Sequence, residues 1–350
     1  MVTGTADGDS AISLPWLEVP LQDALKRTRA HAVLVHGPEG VGQFEFGLAL
    51  ARAWLCEAEQ GARPCGSCAS CRLMRSRSHP DFLLLAPEAL RDALGWPLSP
   101  DDEARRKDRK PSKEIRVDEV REAIAWSQRS STRGRAKVLL IHPAPAMNAV
   151  TANALLKTLE EPPGAMRLIL SANDPEDLLP TIRSRCQRIA LLAPTRAISL
   201  AWLAEQGVDD AEALLAAAGG LPQQALALSQ DGFDGALWAR LPGMVRQGDA
   251  RALVGRPVTA VVSVLQKICH DLMAVAAGAS PLYFAATSLP GNAAPVRLAE
   301  WSRALVRARR HDEHPWHAAL AVEALVAQGR AVWHDEAPTQ PRRLATLPER

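Results

Sequence analysis

The chain has 350 residues, 47% of them hydrophobic and 23% charged, with a net charge of +2. That is the balance of an ordinary globular protein with room for two or three domains, and a charge so near neutrality argues neither for nor against a nucleic-acid partner. The amino terminus, MVTGTADGDSAIS, is polar with no basic segment leading into an apolar core, and charges interrupt the long apolar stretches. A signal peptide and a membrane span are therefore not expected, and the reading is a cytoplasmic chain with reduced thiols and no membrane partner.

The first predicted elements lie in VLVHGPEGVGQFEFGLALARAWL, Val33 to Leu55: a strand, a glycine-rich turn with Gly37, Gly40 and Gly42, and a helix over Phe44–Leu55. This is the layout of a phosphate-binding P-loop, whose helix opens with Lys and then Ser or Thr. Here Gln43 and Phe44 take those two places, so the turn offers no ammonium to a phosphate and no hydroxyl to a metal. A tight strand-to-helix turn, where glycine admits backbone angles closed to other residues, is the simpler reading of the pattern alone. Weak anion binding at the loop amides stays compatible with either.

At the end of that helix four cysteines fall close together in CEAEQGARPCGSCASC, Cys56, Cys65, Cys68 and Cys71. Two short C-x2-C steps with a longer return arm suit four thiolates around one tetrahedral Zn²⁺, which imposes no competing geometry. With four cysteines no position stays open, so the expected role is structural. An iron–sulfur cluster is the rival metal; its bacterial run needs a further Cys followed by Pro, where this chain has Arg72, Leu73 and Met74. Free or redox thiols are the third reading. Cys186 and Cys269 are isolated.

Four further apolar runs follow, DFLLLAP, AKVLLIHP, RLILSAN and QRIALLA. Together with HAVLVHG they read as five strands of a parallel sheet buried on both faces, because their apolarity is continuous rather than alternating. Helical patterns at Val117–Ser130, Met147–Glu160 and Asp177–Ser184 alternate with them, which defines an α/β domain. The charged segment LRDALGWPLSPDDEARRKDRKPSKE reads as a solvated loop. The third strand ends in His142 and Pro143, where an active P-loop enzyme carries acids that hold the metal and orient water. Beyond LLAPTR the strand signal stops. LAWLAEQG, DAEALLAAAGG, PQQALALSQ, Val258–Ala277 and Val296–Arg309 are helical, separated by Pro and Gly, and DEAPTQPRRLATLPER is a polar tail. Boundaries are placed near Pro194 and Gly232, giving 1–193 as the α/β domain, 194–232 as a small helical domain and 233–350 as a helical domain with the tail.

GPEGVGQ, the four-cysteine insert, HPDFLLLAPE, IRVDEVREAI, NALLKTLEEPP and TIRSRCQRI occur in that order with natural spacing. From about Pro15 to Gln230 the chain closely resembles the delta prime family of bacterial DNA polymerase III clamp-loader subunits, within the AAA+ group. The resemblance implies a RecA-like α/β domain with a zinc module, a helical lid, and a collar that joins a pentamer with delta and tau/gamma motor subunits around primed DNA. It also implies that the P-loop is kept as scaffold, with no ATP bound and no catalysis in cis. Arg185, within the Ser184-Arg185-Cys186 motif, is then an arginine finger for ATP on a neighbouring motor subunit. Pro222 and Gln223 stand near where motor subunits carry a nucleotide-sensing arginine. Two alternatives are an active tau/gamma-type motor ATPase and an unrelated P-loop phosphotransferase; both need the lysine and acids that Gln43, Phe44, His142 and Pro143 displace.

Overall fold

The computed structural model describes residues 14–59, 63–96, 98, 110–310 and 318–333. The amino-terminal residues 1–13, most of the charged loop after residue 96 and the polar tail lie outside them.

All five expected strands form: β1 (Ala32–His36), β2 (Phe82–Leu85), β3 (Lys137–Ile141), β4 (Met166–Ala172) and β5 (Gln187–Ala190). They make one sheet in the order β2-β3-β4-β1-β5, with every pair parallel. Register places Val33, Leu34 and Val35 of β1 beside Ile169, Leu170 and Ser171 of β4. Between and around the strands run α1 (Glu18–Arg27), α2 (Gln43–Leu55), α3 (Ala69–Arg75), α4 (Glu88–Arg91), α5 (Val117–Ser127), α6 (Ala149–Glu160) and α7 (Pro180–Arg183). The last three are shorter than their hydrophobic patterns, because caps rather than apolar spacing set helix ends. Asn148 caps α6 by accepting from the Thr151 amide at 3.0 Å.

Because strand side chains alternate, the sheet has two apolar faces. Ala32, Leu34, Leu139, Ile141, Leu168 and Leu170 form one cluster with Val120 of α5, Leu155 and Leu159 of α6, and Ile182 of α7. The opposite face receives α2, which is buried nearly all round. Gly47 lets the helix approach: a Cβ there would lie 2.8 Å from Leu140 Cδ1 and 3.4 Å from Ile169 Cγ2. The edge strand β5 departs from expectation, since Arg188 and Ala190 are exposed. Its apolar run continues past the strand into Leu191, which is buried, and Leu192, which is not.

The remaining helices are α8 (Arg196–Glu205), α9 (Ala211–Ala217), α10 (Pro222–Gln230), α11 (Gly235–Gln247), α12 (Val258–Ala276), α13 (Pro295–Arg310) and α14 (Ala318–Arg330). The chain divides into two compact units, one of Met1–Asp209 with Gly220–Gln230, the other of Asp210–Gly219 with Asp231–Arg350. The α/β sheet, α8 and α10 thus belong to the first unit, whereas α9 belongs to the second.

In the second unit α12 is the central helix, with Val261, Leu265, Ile268 and Leu272 buried. It is the one helix among the described residues long and apolar enough to cross a membrane, a property that the core helix of a folded domain shares. Asp271 on this helix is fully buried, and its carboxylate accepts from the amides of Leu282 (2.9 Å), Tyr283 (2.7 Å) and Phe284 (2.8 Å). Removing that acceptor would leave three amides without it, and the one at the buried Phe284 would cost about 1–3 kcal/mol.

Candidate functional site

The turn between β1 and α2 sits at the carboxyl edge of the parallel sheet, where α/β folds place ligands. Gly40 (φ +87°) and Gly42 (φ +100°) adopt the left-handed backbone that a side chain would strain, and Gly42 is the amino cap of α2. Gln43 points back into the turn. Its side-chain nitrogen donates to the carbonyls of Gly37 (2.6 Å) and Pro38 (2.9 Å) and to Asn173 Oδ1 (3.2 Å). Gln43 is 6% exposed, so these bonds are made away from water. They satisfy the loop from within and bring no positive charge.

Phe44 is also buried, its ring 5.1 Å from the imidazole of His142. His142 Nδ1 lies 2.7 Å from Ser171 Oγ, and that hydroxyl donates to the Ile141 carbonyl at 3.2 Å. The hydroxyl's own proton is thus committed, so His142 Nδ1 carries a proton and donates to Ser171. Burial holds the imidazole neutral, with its pKa lowered to about 4.

The turn is also covered. A Cβ on Gly42 would lie 2.6 Å from Leu14 Cδ1 and 3.1 Å from Leu17 Cδ1, and Trp16 Nε1 donates to the Val41 carbonyl at 2.8 Å. Gln224 of α10 reaches across the loop: its Nε2 donates to the Glu39 carbonyl at 2.6 Å, and its Cγ would be 2.9 Å from a Cβ on Gly40. Gln223 donates to Glu45 Oε1 at 3.3 Å, and burial raises the pKa of that carboxyl. Sequence reading identified Gln43 and Phe44 but missed Asn173, Leu14, Leu17 and Gln224. Leu14, Leu17 and Gln224 are remote in sequence and carry no motif of their own.

Ser184, Arg185 and Cys186 follow the short helix α7. Cys186 is buried in the sheet core, where desolvation pushes its thiol up to about 12. It anchors the segment rather than reacting. Arg185 projects outward with its side chain one-third exposed. Its Nε donates to Glu160 Oε1 at 2.8 Å, Nη2 bonds the same oxygen, and Nη1 donates to the Thr181 carbonyl (2.8 Å) and to Ser184 Oγ (3.3 Å). Glu160 closes α6 within NALLKTLEEPP, a string the sequence reading singled out without assigning that residue a role. The guanidinium is thus aimed by three local acceptors.

Cys56, Cys65, Cys68 and Cys71 converge, their sulfur atoms all within 4.8 Å of one another. Cys65–Cys71 and Cys56–Cys68 are each 4.0 Å apart, and all four are free thiols. Tetrahedral zinc with Zn–S bonds of about 2.3 Å requires sulfurs about 3.8 Å apart, so the cluster fits one ion. Amides of Cys65, Cys68 and Cys71 point at Cys56, Cys65 and Cys68 sulfurs respectively, each at 3.4 Å, as donors to thiolates do. A polar network ties this module to the sheet. Ser70 Oγ (2.9 Å) and Arg133 Nε (2.6 Å) donate to Glu57 Oε1, His79 Nε2 is 2.9 Å from Ser70 Oγ, and the Asp81 amide donates to His79 Nδ1 at 3.1 Å.

The fold and site define a class: a parallel α/β domain with a glycine-rich turn after β1 that Gln43 fills from within, a four-cysteine module, and an arginine presented after α7. The family described as DNA polymerase III, delta subunit, matches residues 18–195. The chain belongs to that family. It is 38% identical over 227 residues to DNA polymerase III subunit delta' of Pseudomonas aeruginosa, covering 61% of this chain and 62% of that one. It is 35% identical over 223 residues to the subunit delta' of Escherichia coli, covering 62% and 60%. The Escherichia coli subunit tau is 33% identical over 163 residues, 47% of this chain and 22% of that one. The matched region spans about sixty per cent of the length of the two delta' relatives.

Proposed function

We propose that the chain is a non-hydrolysing subunit of a bacterial DNA polymerase III clamp loader, of the delta prime kind, which works in the cytoplasm with delta and tau/gamma motor subunits. In that role it helps the motors load the sliding clamp onto primed DNA. It keeps the P-loop scaffold without using ATP, and lends Arg185, with Ser184 and Cys186 framing it, to nucleotide held by a neighbour. The four cysteines hold a structural zinc ion. Residues 1–193 are the RecA-like domain, 194–232 the lid and 233–350 the collar.

The observation that carries this reading is Gln43. Its amide occupies the carbonyls of Gly37 and Pro38 at the place where a P-loop lysine would offer charge to a phosphate. Phe44 and His142 fill the metal's side of the turn with two packed rings. Phosphoryl transfer is mostly electrostatic stabilisation of the transferring group, so a loop without cation or metal has little to offer it. Calorimetric titration of the isolated chain with Mg-ATP is expected to give no binding, and a steady-state assay no hydrolysis. Gln43→Lys combined with Phe44→Thr is expected to stay inactive, since no acid replaces His142 and Pro143. Mg-dependent turnover by the unaltered chain would favour the motor reading instead.

A further inference from the structure

At the opposite edge of the sheet from the P-loop turn, where β1, β3 and β4 begin, lies an open cleft of about 770 Å³. One strand length, about 16 Å for five residues, separates this edge from the turn. Five cationic side chains from five separate segments line it: Lys26 from α1, Arg29 before β1, Arg63 from the cysteine module, Arg135 before β3 and Arg167 in β4. No Asp or Glu is among its described lining residues. A chain whose net charge is +2 therefore concentrates a local excess of about five positive charges in one concavity, where low-dielectric walls focus the field.

Two further features point to a ligand. Trp54, in the last turn of α2, lines the cleft with the Arg167 guanidinium 4.7 Å from its ring centroid, a cation–π pair that holds a flat, charged surface. Burial also lowers the pKa of Arg167 through desolvation of the guanidinium. Thr28 lines the cleft too, is only 7% exposed, and its hydroxyl has no hydrogen-bond partner. Arg135 commits Nη2 to the Glu57 carbonyl at 2.8 Å, which aims the rest of its fork.

We propose that this cleft binds the phosphate backbone of a single-stranded nucleic acid. The cleft is far larger than one phosphate needs, and its cations come from separate segments of the chain. Planar guanidinium groups and an indole supply stacking surfaces for bases, the combination used for single strands without sequence preference. The cysteine module gains a second role, since it delivers Arg63 to the cleft. None of this depends on the P-loop or on Arg185, so it stands or falls apart from the clamp-loader reading.

The test is fluorescence anisotropy of a labelled oligothymidylate with the full chain, across a salt series. Each phosphate contact made by a cation adds about 0.7 to the slope of log affinity against log salt for single strands. Lys26→Glu with Arg29→Glu changes two exposed side chains and is expected to weaken binding about tenfold or more and to reduce the slope by about 1.4. Lys26→Gln with Arg29→Gln is expected to lower the slope equally with a smaller loss of affinity. Arg121→Glu, an exposed residue of α5 outside the cleft, is expected to bind like the parent. Unchanged binding by both cleft variants overturns the proposal. So does competition by inorganic pyrophosphate or a polyglutamate peptide as effective as unlabelled oligothymidylate, which would make the site a general anion cleft.

Discussion

His142 directly follows the third strand, where an active P-loop enzyme carries an acid. Its ring packs on Phe44 and donates to Ser171, and desolvation keeps it neutral down to about pH 4. An unfolded chain takes up that proton near 6.5, so between about 6.5 and 4 unfolding is coupled to proton uptake. Stability therefore falls as pH drops through this window, by roughly 1.4 kcal/mol per pH unit, and His142 adds no further pH dependence below it. Asn at this position keeps a donor for Ser171 without titrating. His142→Asn is expected to be less stable than the parent near neutral pH, from lost packing, and to close that gap as pH falls towards 4. Urea midpoints of both proteins at several pH values decide it. A stability difference that stays constant across the window means the imidazole is not buried neutral.

The cysteine module is the element whose chemistry is most legible in sequence, because ligand spacing is local. One tightly bound zinc per chain is expected by elemental analysis. Cys68→Ser is expected to lower zinc content and expose the segment between Cys56 and Cys71 to protease, with the far-ultraviolet dichroism of the sheet domain retained. In the proposed site metal binding would contribute local folding energy rather than core packing. Iron with visible absorbance, or no metal at all, would refute the zinc assignment. The strands were equally legible, since continuous runs such as KVLLI carry their burial on their face, and the tight turn after β1 was marked by its glycines, of which Gly40 and Gly42 take positive φ. Other features are invisible to a linear reading. The cover over the turn comes from Leu14, Leu17 and Gln224, which share no string with GPEGVGQ. The network through Glu57, Ser70, His79 and Arg133 joins residues up to 76 positions apart. The basic cleft is the extreme case: the run of Arg and Lys after residue 104 lies largely outside the described residues, and the five cleft cations are scattered from Lys26 to Arg167.

At the scale of the whole molecule the proposed role makes Arg185 matter only in company. Within the chain its guanidinium meets Glu160, Thr181 and Ser184 at a surface where Arg185 is 33% and Glu160 48% exposed. A pair so open to water contributes little to folding, about 0–1 kcal/mol. Arg185→Ala is therefore expected to fold, keep its metal and enter the assembled complex like the parent. In trans the same group would neutralise charge on a transferring phosphoryl group, and guanidinium groups supplied this way are worth about a thousandfold or more in rate at a single site. In the proposed ring this subunit would border only one of several nucleotide sites, so the measured loss of DNA-stimulated ATPase and of clamp loading is expected to be partial. Arg185→Lys is expected to rescue poorly, because an ammonium is a point charge without the planar fork. Glu160→Gln keeps an acceptor but removes the charge that pairs with Arg185, and is expected to lower ATPase less than Arg185→Ala while leaving assembly intact. Reconstituted complexes carrying each variant, compared for assembly by gel filtration and for ATPase, separate the two roles. Arg185→Ala complexes that fail to assemble, or that hydrolyse ATP and load clamps like the parent, would make Arg185 a surface ion pair and nothing more.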